Sequence, residues 1–540
     1  MKRFFWIFLL CVAAFHVNNT ALLPDIMECR NLVTAREMVS DDAWLVPTMN
    51  GNLRLEKPPL PTWVAGAIEK VSPDNFAAQR MAAGVTGMLW VLFFYLMAKR
   101  LTRRDDYAFI ATLVFLTCYQ IVLMGRTATW DIYCHAFMMG AIFFLWRAFY
   151  DDEVEGKHTP LFHFLGAGVF MGLSFLSKGP VSFYALLLPF LIAALSYQRP
   201  NMRGKWSGMA VMVIVCLVIS AWWYLYLRIF HADEMQAVFH KETGAWINRN
   251  VRPFWYYWRF FTETGVWAIL MLAALYIPYW KKQLTWKKEY LFAITWVLSA
   301  LVLLSLMPEK KMRYLLPMMV PCALSVAFIL LHLCRENNKV NRILLWLNGG
   351  VVALVCWALP IALFVLKLNE TALNAFQTVA AVIIFPLIGL WVIYAVRKNN
   401  VNGFVYGVVA IFVAAECLLM GAIGQTLGNP HFRSIEETRK LKTLDGIPFY
   451  SPADEELRIE MVYAAHRKIL PLELTDSAKL MSSLPCVMVS QKPIDQAIPP
   501  RLLHLLKTEH IGDYDDNRLP KHSRHYNTLF LNHVTLLKQK

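Results

Sequence analysis

Charge is what this chain has least of. Only 17% of its 540 residues are Asp, Glu, Lys or Arg, against roughly a quarter in an ordinary soluble domain. A chain so short of charge has too little polar surface to cover a soluble core of its size. The ten cysteines contain no CxxC pair and are scattered singly, mostly within apolar segments. That excludes a disulfide scaffold or zinc ribbon and makes them small buried hydrophobes. No convincing internal repeat is present, which counts against transporters built from duplicated halves. No A-x-A cleavage site follows the first apolar stretch, so that stretch reads as a retained first helix rather than a signal peptide.

What is present instead is hydrophobic residue, 57% of the chain, gathered in runs. Those runs are long enough to cross a hydrocarbon core of about 30 Å. The 19 Trp and 21 Tyr suit helix ends in the interfacial belt. The net charge of +15 does not indicate a nucleic-acid partner, because the basic residues lie mostly in short connections between apolar runs. There they set membrane orientation and meet anionic head groups.

The pattern predicts an α-helical polytopic membrane protein of about thirteen spans with a C-terminal soluble α/β domain. The spans fall near 4–20, 77–98, 107–124, 131–150, 161–177, 180–196, 207–227, 255–279, 289–307, 313–333, 343–366, 373–396 and 402–424. Alternate connections are basic: Lys99 to Arg104, Arg199 to Lys205, Lys281 to Lys288, Arg335 to Arg342, and Arg397-Lys398. Asp151 to His158 is the exception. These connections and the N-terminus are expected on the cytoplasmic side of a bacterial inner membrane. An odd number of spans then puts residues 425–540 on the periplasmic side. The expected division is a transmembrane catalytic domain, 1–424, with a periplasmic loop 21–76, followed by the domain 425–540. Strand-like runs at Ile447–Tyr450, Cys486–Ser490 and Thr528–Leu531 mark the latter. Its histidines, from His504 to His533, lack ligand spacing and read as surface groups.

Chemistry is expected in the outward connections. The loop 21–76 carries Glu28, Arg30, Arg36-Glu37, Asn50-Gly51 and Glu56-Lys57. Its residues 26–39 have the pattern of an amphipathic helix suited to a membrane surface. Asp131 opens the fourth predicted span, where a carboxylate costs several kcal/mol unless it is paired or meets water. A plain helix cap would also account for it. Lys178 sits in a tight turn between two apolar helices. The run Glu309 to Tyr314 places Lys310, Lys311 and Arg313 outward, against the charge trend. Outward cations beside carboxylates suit a phosphate-bearing lipid, which Arg and Lys hold by charge-assisted hydrogen bonds.

These residues resemble a known family. Glu28-x-Arg30, Arg36-Glu37-Met38, Trp44-x-Val46-Pro47, Asn50-Gly51 and Glu56-Lys57-Pro58 look like the first periplasmic loop of the bacterial lipid A aminoarabinose transferases. More broadly they resemble the polyprenyl-phosphate-dependent GT-C glycosyltransferases related to protein O-mannosyltransferases. Asp131, Ser177-Lys178-Gly179, Pro253 to Tyr257 and Lys310 to Tyr314 extend the likeness along nearly the whole chain. The resemblance implies an inverting glycosyltransferase that moves a sugar from an undecaprenyl-phosphate-linked donor to lipid A or another envelope glycan or protein. It implies Glu28, Asp131 and Glu56 as catalytic carboxylates. Arg30, Lys57, Lys178, Lys310, Lys311, Arg313 and Tyr314 would hold the phosphate of the lipid carrier. It requires no cofactor but admits a zinc ion on Glu56 and His240. The family's loop usually carries an adjacent Asp-Glu pair. Here Met27 precedes Glu28, with Asp25 two residues earlier.

Two other readings use the same charges. A transporter or flippase for a lipid-linked anion would need outward cations, and a catalytically dead relative could act as a scaffold. Charge gathered at one face rather than at mid-depth favours the enzyme over the transporter.

Overall fold

The computed structural model describes residues 2–151, 161–424 and 428–540, so most of the Asp151 to His158 connection lies outside the described residues. The described chain forms two compact units. The first holds residues 1–22, 55–64 and 74–424, and the second holds 23–54, 65–73 and 425–540. This differs from the division expected at 424, because much of the loop 21–76 folds with the tail.

The first unit is helical. Among the described residues nine helices are long and apolar enough to cross a membrane, or up to eleven if each of two bent pairs is one span. The first and sixth of the thirteen expected segments are helical but shorter, Lys2–Phe15 and Phe183–Tyr197. Helix ends follow local signals. The Asn75 side chain accepts from the Ala78 amide (3.0 Å) to start Phe76–Thr102, which stops at Arg103 in the left-handed region, φ 56°. One bent pair, Asp105–Leu116 and Tyr119–Gly125, turns by 68°. At the bend, Thr117 Oγ1 donates to the Leu113 carbonyl (2.7 Å) and accepts from Trp267 Nε1 (2.8 Å). Asp151, the acidic exception to the charge trend, pairs with Arg100 (3.1 Å) and Arg147 (3.0 Å).

Close approach between spans depends on small residues. Gly168 in Leu161–Lys178 faces Trp206–Phe230 so tightly that a Cβ would lie 2.5 Å from the Met212 carbonyl oxygen. The segment Met312–Leu333 is almost wholly buried and serves as the central element of this unit. Arg126, 1% exposed, follows the helix Tyr119–Gly125 and holds the end of the first helix. Its Nε donates to the Ala14 carbonyl (2.8 Å), its Nη2 to that of Val17 (2.5 Å), and its Nη1 meets Glu416 at 2.6 Å.

The second unit contains a small hairpin, β1 (Thr48–Met49) and β2 (Asn52–Leu53). Its main sheet is made of β3 (Phe449–Pro452), β4 (Ile469–Leu472), β5 (Cys486–Ser490), β6 (Leu506–Asp515) and β7 (Leu531–Gln539). The order is β4-β3-β5-β7-β6, parallel among the first three and antiparallel thereafter. The helix Ile26–Ser40 joins this unit's core. Cys29 and Val33 share an apolar cluster with Ile435, Phe449, Val487 and Val534, so this side of the helix meets protein rather than a membrane surface. Asp25 is its N-cap, accepting from the Glu28 amide at 2.8 Å.

Candidate functional site

The helices Trp130–Phe149 and Leu161–Lys178 lie side by side, and Ser174 ties them. Its hydroxyl donates to the Cys134 carbonyl (2.6 Å) and meets the Ser182 hydroxyl at 2.6 Å. One turn beyond Ser174, the second helix ends on Lys178. Gly179 then takes φ +68°, a conformation a side chain would strain, and turns the chain back. The Lys178 ammonium therefore points to Asp131, and the two form a direct hydrogen-bonded ion pair. Both side chains are buried, at 9% and 4% exposure. Thr129 occupies the cap position of Trp130–Phe149, so capping does not explain Asp131. Arg313 also bears on Asp131 electrostatically. The Nε of Arg313 is buried and donates to no acceptor, and the same holds for Nε of Arg30 in the second unit.

The cations Lys310, Lys311 and Arg313 are not equivalent. Residues 308–310 run against 250–252. Val251 bridges Glu309, and the Lys310 amide donates to the Asn250 carbonyl (3.2 Å). The Lys310 ammonium, 3% exposed, donates to the carbonyls of Arg252 (3.0 Å) and Met307 (2.5 Å). It serves as a bracket for this crossing rather than as a free phosphate ligand. Lys311 pairs with Glu309 (2.7 Å), which also takes Arg249 (3.2 Å). Burial alone would raise the Glu309 carboxyl, but Lys311 and Arg249 hold it below its usual range. Burial lowers the ammonium groups of Lys310 and Lys311. Lys311 also stands over the Tyr314 ring at 5.8 Å, while its backbone exchanges hydrogen bonds with the Tyr257 hydroxyl (3.1 Å). Of the three cations, Arg313 is the one with an unused donor aimed into the structure.

Glu56 and Lys57 meet a complementary pair from the helix Ala232–Asn248. Lys241 donates to Glu56 (3.2 Å) and Lys57 to Glu242 (3.1 Å). His240 is exposed on that helix. Among the described residues no three His, Cys, Asp or Glu side chains gather to hold a metal. With Glu56 engaged by a cation and only two donors in prospect, the residues do not fit the expected zinc site.

Glu28 and Arg30 lie on the helix Ile26–Ser40 of the second unit, and Glu28 is fully buried. Other residues of that loop have structural duties. Glu37 accepts from the Thr48 hydroxyl (2.7 Å) and the amides of Asn50 (2.6 Å) and Gly51 (3.1 Å). Asn50 and Gly51 both have positive φ, 52° and 75°, and close the β1–β2 hairpin. The Asn50 side chain then pairs with the backbone of Ile469 on β4, at 2.6 and 2.8 Å.

Sequence reasoning passed over Arg249, the second cation on Glu309, and His135, one turn along the helix from Asp131. Arg249 and Arg252 also break the inside-positive trend, and that signal was available in the sequence.

The family profile of dolichyl-phosphate-mannose-protein mannosyltransferases matches residues 56–224, a segment that includes Glu56, Asp131 and Lys178. Relatives named undecaprenyl phosphate-alpha-4-amino-4-deoxy-L-arabinose arabinosyl transferase include one from Aeromonas hydrophila. It is 28% identical over 350 residues, covering 62% of this chain and 61% of the relative. Another, from Proteus mirabilis, is 23% identical over 401 residues, covering 71% and 69%. The alignment with the Aeromonas hydrophila relative thus spans about three fifths of that protein's length. The crystal structure of ArnT from Cupriavidus metallidurans bound to undecaprenyl phosphate superposes with a TM-score of 0.69 over 98% of both chains, at 15% identity. That likeness is one of fold.

Proposed function

We propose that the chain is a polyprenyl-phosphate-dependent glycosyltransferase of the kind its relatives and its GT-C fold resemble, and that it moves a sugar from an undecaprenyl-phosphate-linked donor to an acceptor of the cell envelope. The acceptor class includes lipid A, and the reaction takes place at the periplasmic face of the bacterial inner membrane. The observation that carries this reading is the buried Asp131–Lys178 pair with the unused Arg313 donor acting on it. The basic connections support an N-terminus in the cytoplasm and a periplasmic second unit.

In this reading an acceptor oxygen attacks the anomeric carbon from the face opposite the carrier. The new C–O bond forms as the bond to phosphate oxygen breaks, and undecaprenyl phosphate leaves with the electron pair. Arg313 and Lys178 neutralise the charge gathering on that phosphate. Asp131 fixes the ammonium of Lys178 before the donor arrives, so little reorganisation remains at the moment of reaction. A phosphate acceptor is already deprotonated and needs no strong base. A hydroxyl acceptor must give its proton to a carboxylate, for which Asp131 and Glu28 are the candidates. Lys57, Lys311 and Tyr314 are further candidates for the carrier; like Lys178, Lys57 and Lys311 are each held by a carboxylate.

The test is sugar transfer in membrane vesicles supplied with undecaprenyl-phosphate sugar, comparing the wild type with Asp131→Asn, Glu28→Gln and Glu56→Gln. Strong loss in Asp131→Asn is expected. Product formation unchanged in all three variants would sink the site assignment. Movement of intact lipid without sugar transfer would replace the enzyme by a transporter.

A further inference from the structure

The motif Arg36-Glu37 has no part in the proposed chemistry, and its two side chains have separate roles. Glu37 holds the hairpin. Arg36 lies on a groove of about 280 Å³ within the second unit, between the helix Ile26–Ser40 and the chain entering β4. The helix Ile459–Ala465 ends at His466, whose φ of 58° reverses the backbone in the left-handed region. After that reversal His466, Arg467 and Lys468 follow one another along the groove, opposite Arg36 and Ser40.

Each cation is held in place. The Arg36 guanidinium stands over the Tyr463 ring at 5.6 Å and donates to the Tyr463 carbonyl at 3.4 Å. Arg467 lies over the Phe449 ring at 4.5 Å and donates to the carbonyls of Ala465 and Leu444, both at 3.3 Å. Those carbonyls orient its fork without neutralising it. Lys468 donates to Asp41 at 2.5 Å, and the Ser40 hydroxyl donates to the other oxygen of the same carboxylate at 2.9 Å. Glu37, the carboxylate lining the groove, directs its oxygens to the hairpin. Two oriented guanidinium forks around one groove, with the Lys468 ammonium already paired to Asp41 and Asp445 near Arg467, suit a tetrahedral oxyanion better than a neutral sugar. The volume falls just below the roughly 300–1,000 Å³ of pockets that enclose a drug-sized ligand, which suits a head group rather than a whole lipid.

We infer that this groove binds a phosphomonoester, either free or at the head of a lipid. The site goes beyond sugar transfer and does not depend on it. The test uses the full chain in phosphatidylcholine nanodiscs, with hydrogen exchange read on peptides covering residues 462–472. The probes are inorganic phosphate in solution and phosphatidic acid in the disc. Slowed exchange with millimolar phosphate supports a free phosphomonoester, and slowing with phosphatidic acid alone supports a lipid-borne one. Arg467→Gln and Lys468→Gln are each expected to raise the half-saturating concentration about tenfold, while Arg467→Lys retains most of the protection. Lys468→Gln leaves the aromatic stacking untouched and guards against simple misfolding. No slowing with either probe, or equal slowing in the wild type and both Gln variants, overturns the inference. Sugar transfer measured on the same samples fails or succeeds separately from this readout.

Discussion

Asp131 and Glu37 are equally buried, each 3% exposed, yet one belongs to each unit and they are stabilised by opposite means. Asp131 meets cations: Lys178 directly, and Arg313 through space. Glu37 meets neutral donors, a hydroxyl and two backbone amides. A carboxylate held by neutral donors fixes a backbone turn and keeps its own negative charge. A carboxylate held by cations sets the position of charges that a ligand can use. Burial alone does not tell what a carboxylate does, and cation partners alone do not either, since Glu416 is also held by a cation and anchors a helix; the role proposed for Asp131 rests on Lys178 and Arg313 beside it.

The largest test of that contrast is Asp131→Asn, expected to lower sugar transfer by about 10²–10³-fold with the chain still folded, read as kcat in vesicles. Glu37→Gln should do the reverse. It should leave transfer near wild type and cost about 2 kcal/mol of stability, because its rigid acceptors are lost to three donors; limited proteolysis of the second unit and its thermal midpoint check this. Equal loss of transfer in both variants would erase the distinction. Arg313→Gln removes the unused donor and should raise KM for the lipid-linked donor about tenfold, the scale of one charge-assisted bond, with Arg313→Lys restoring part of it.

A last effect concerns Asp516, whose carboxyl burial pushes up to about 6 against the hydrogen bonds from Ser434 and the Ile435 amide. The raised value means the folded chain prefers the protonated acid. Stability is therefore fully present below about pH 4 and is lost as pH rises through 6. Asp516→Asn should stabilise the second unit by about 3 kcal/mol at pH 7 and by nothing near pH 4. Thermal midpoints at the two pH values decide it.

Asp131 and Lys178 are both visible in the sequence as charges at the ends of apolar runs. Their pairing is not, because it depends on how two helices register through Ser174 and the Gly179 turn. Lys310, Lys311 and Arg313 look alike in the sequence as outward cations. The crossing of 308–310 with 250–252 gives Lys310 carbonyls, gives Lys311 a carboxylate, and leaves Arg313 a donor. In the second unit the apolar runs marked β3 and β5; of the third run only Leu531 enters β7, while Thr528–Phe530 form a turn of 3-10 helix. Pro471 hid β4, which lies at the sheet edge where proline is tolerated. β6 escaped because Leu506–Asp515 is polar along most of its length and shows no alternation. Glu56, read beside His240 as a candidate metal ligand, accepts from Lys241 at 3.2 Å, a pairing between separate segments that the sequence does not show.

The Arg126–Glu416 contact carries a consequence for biogenesis. Arg126 fastens the end of the first helix, but its carboxylate partner is translated only with the last apolar helix. Until then the guanidinium has the carbonyls of Ala14 and Val17 but not its carboxylate, and a buried charge without its counter-ion is costly. The first helix therefore becomes fully anchored only when synthesis of the first unit is nearly complete. A chain truncated before Glu416 would leave that anchor open for quality-control proteases to find.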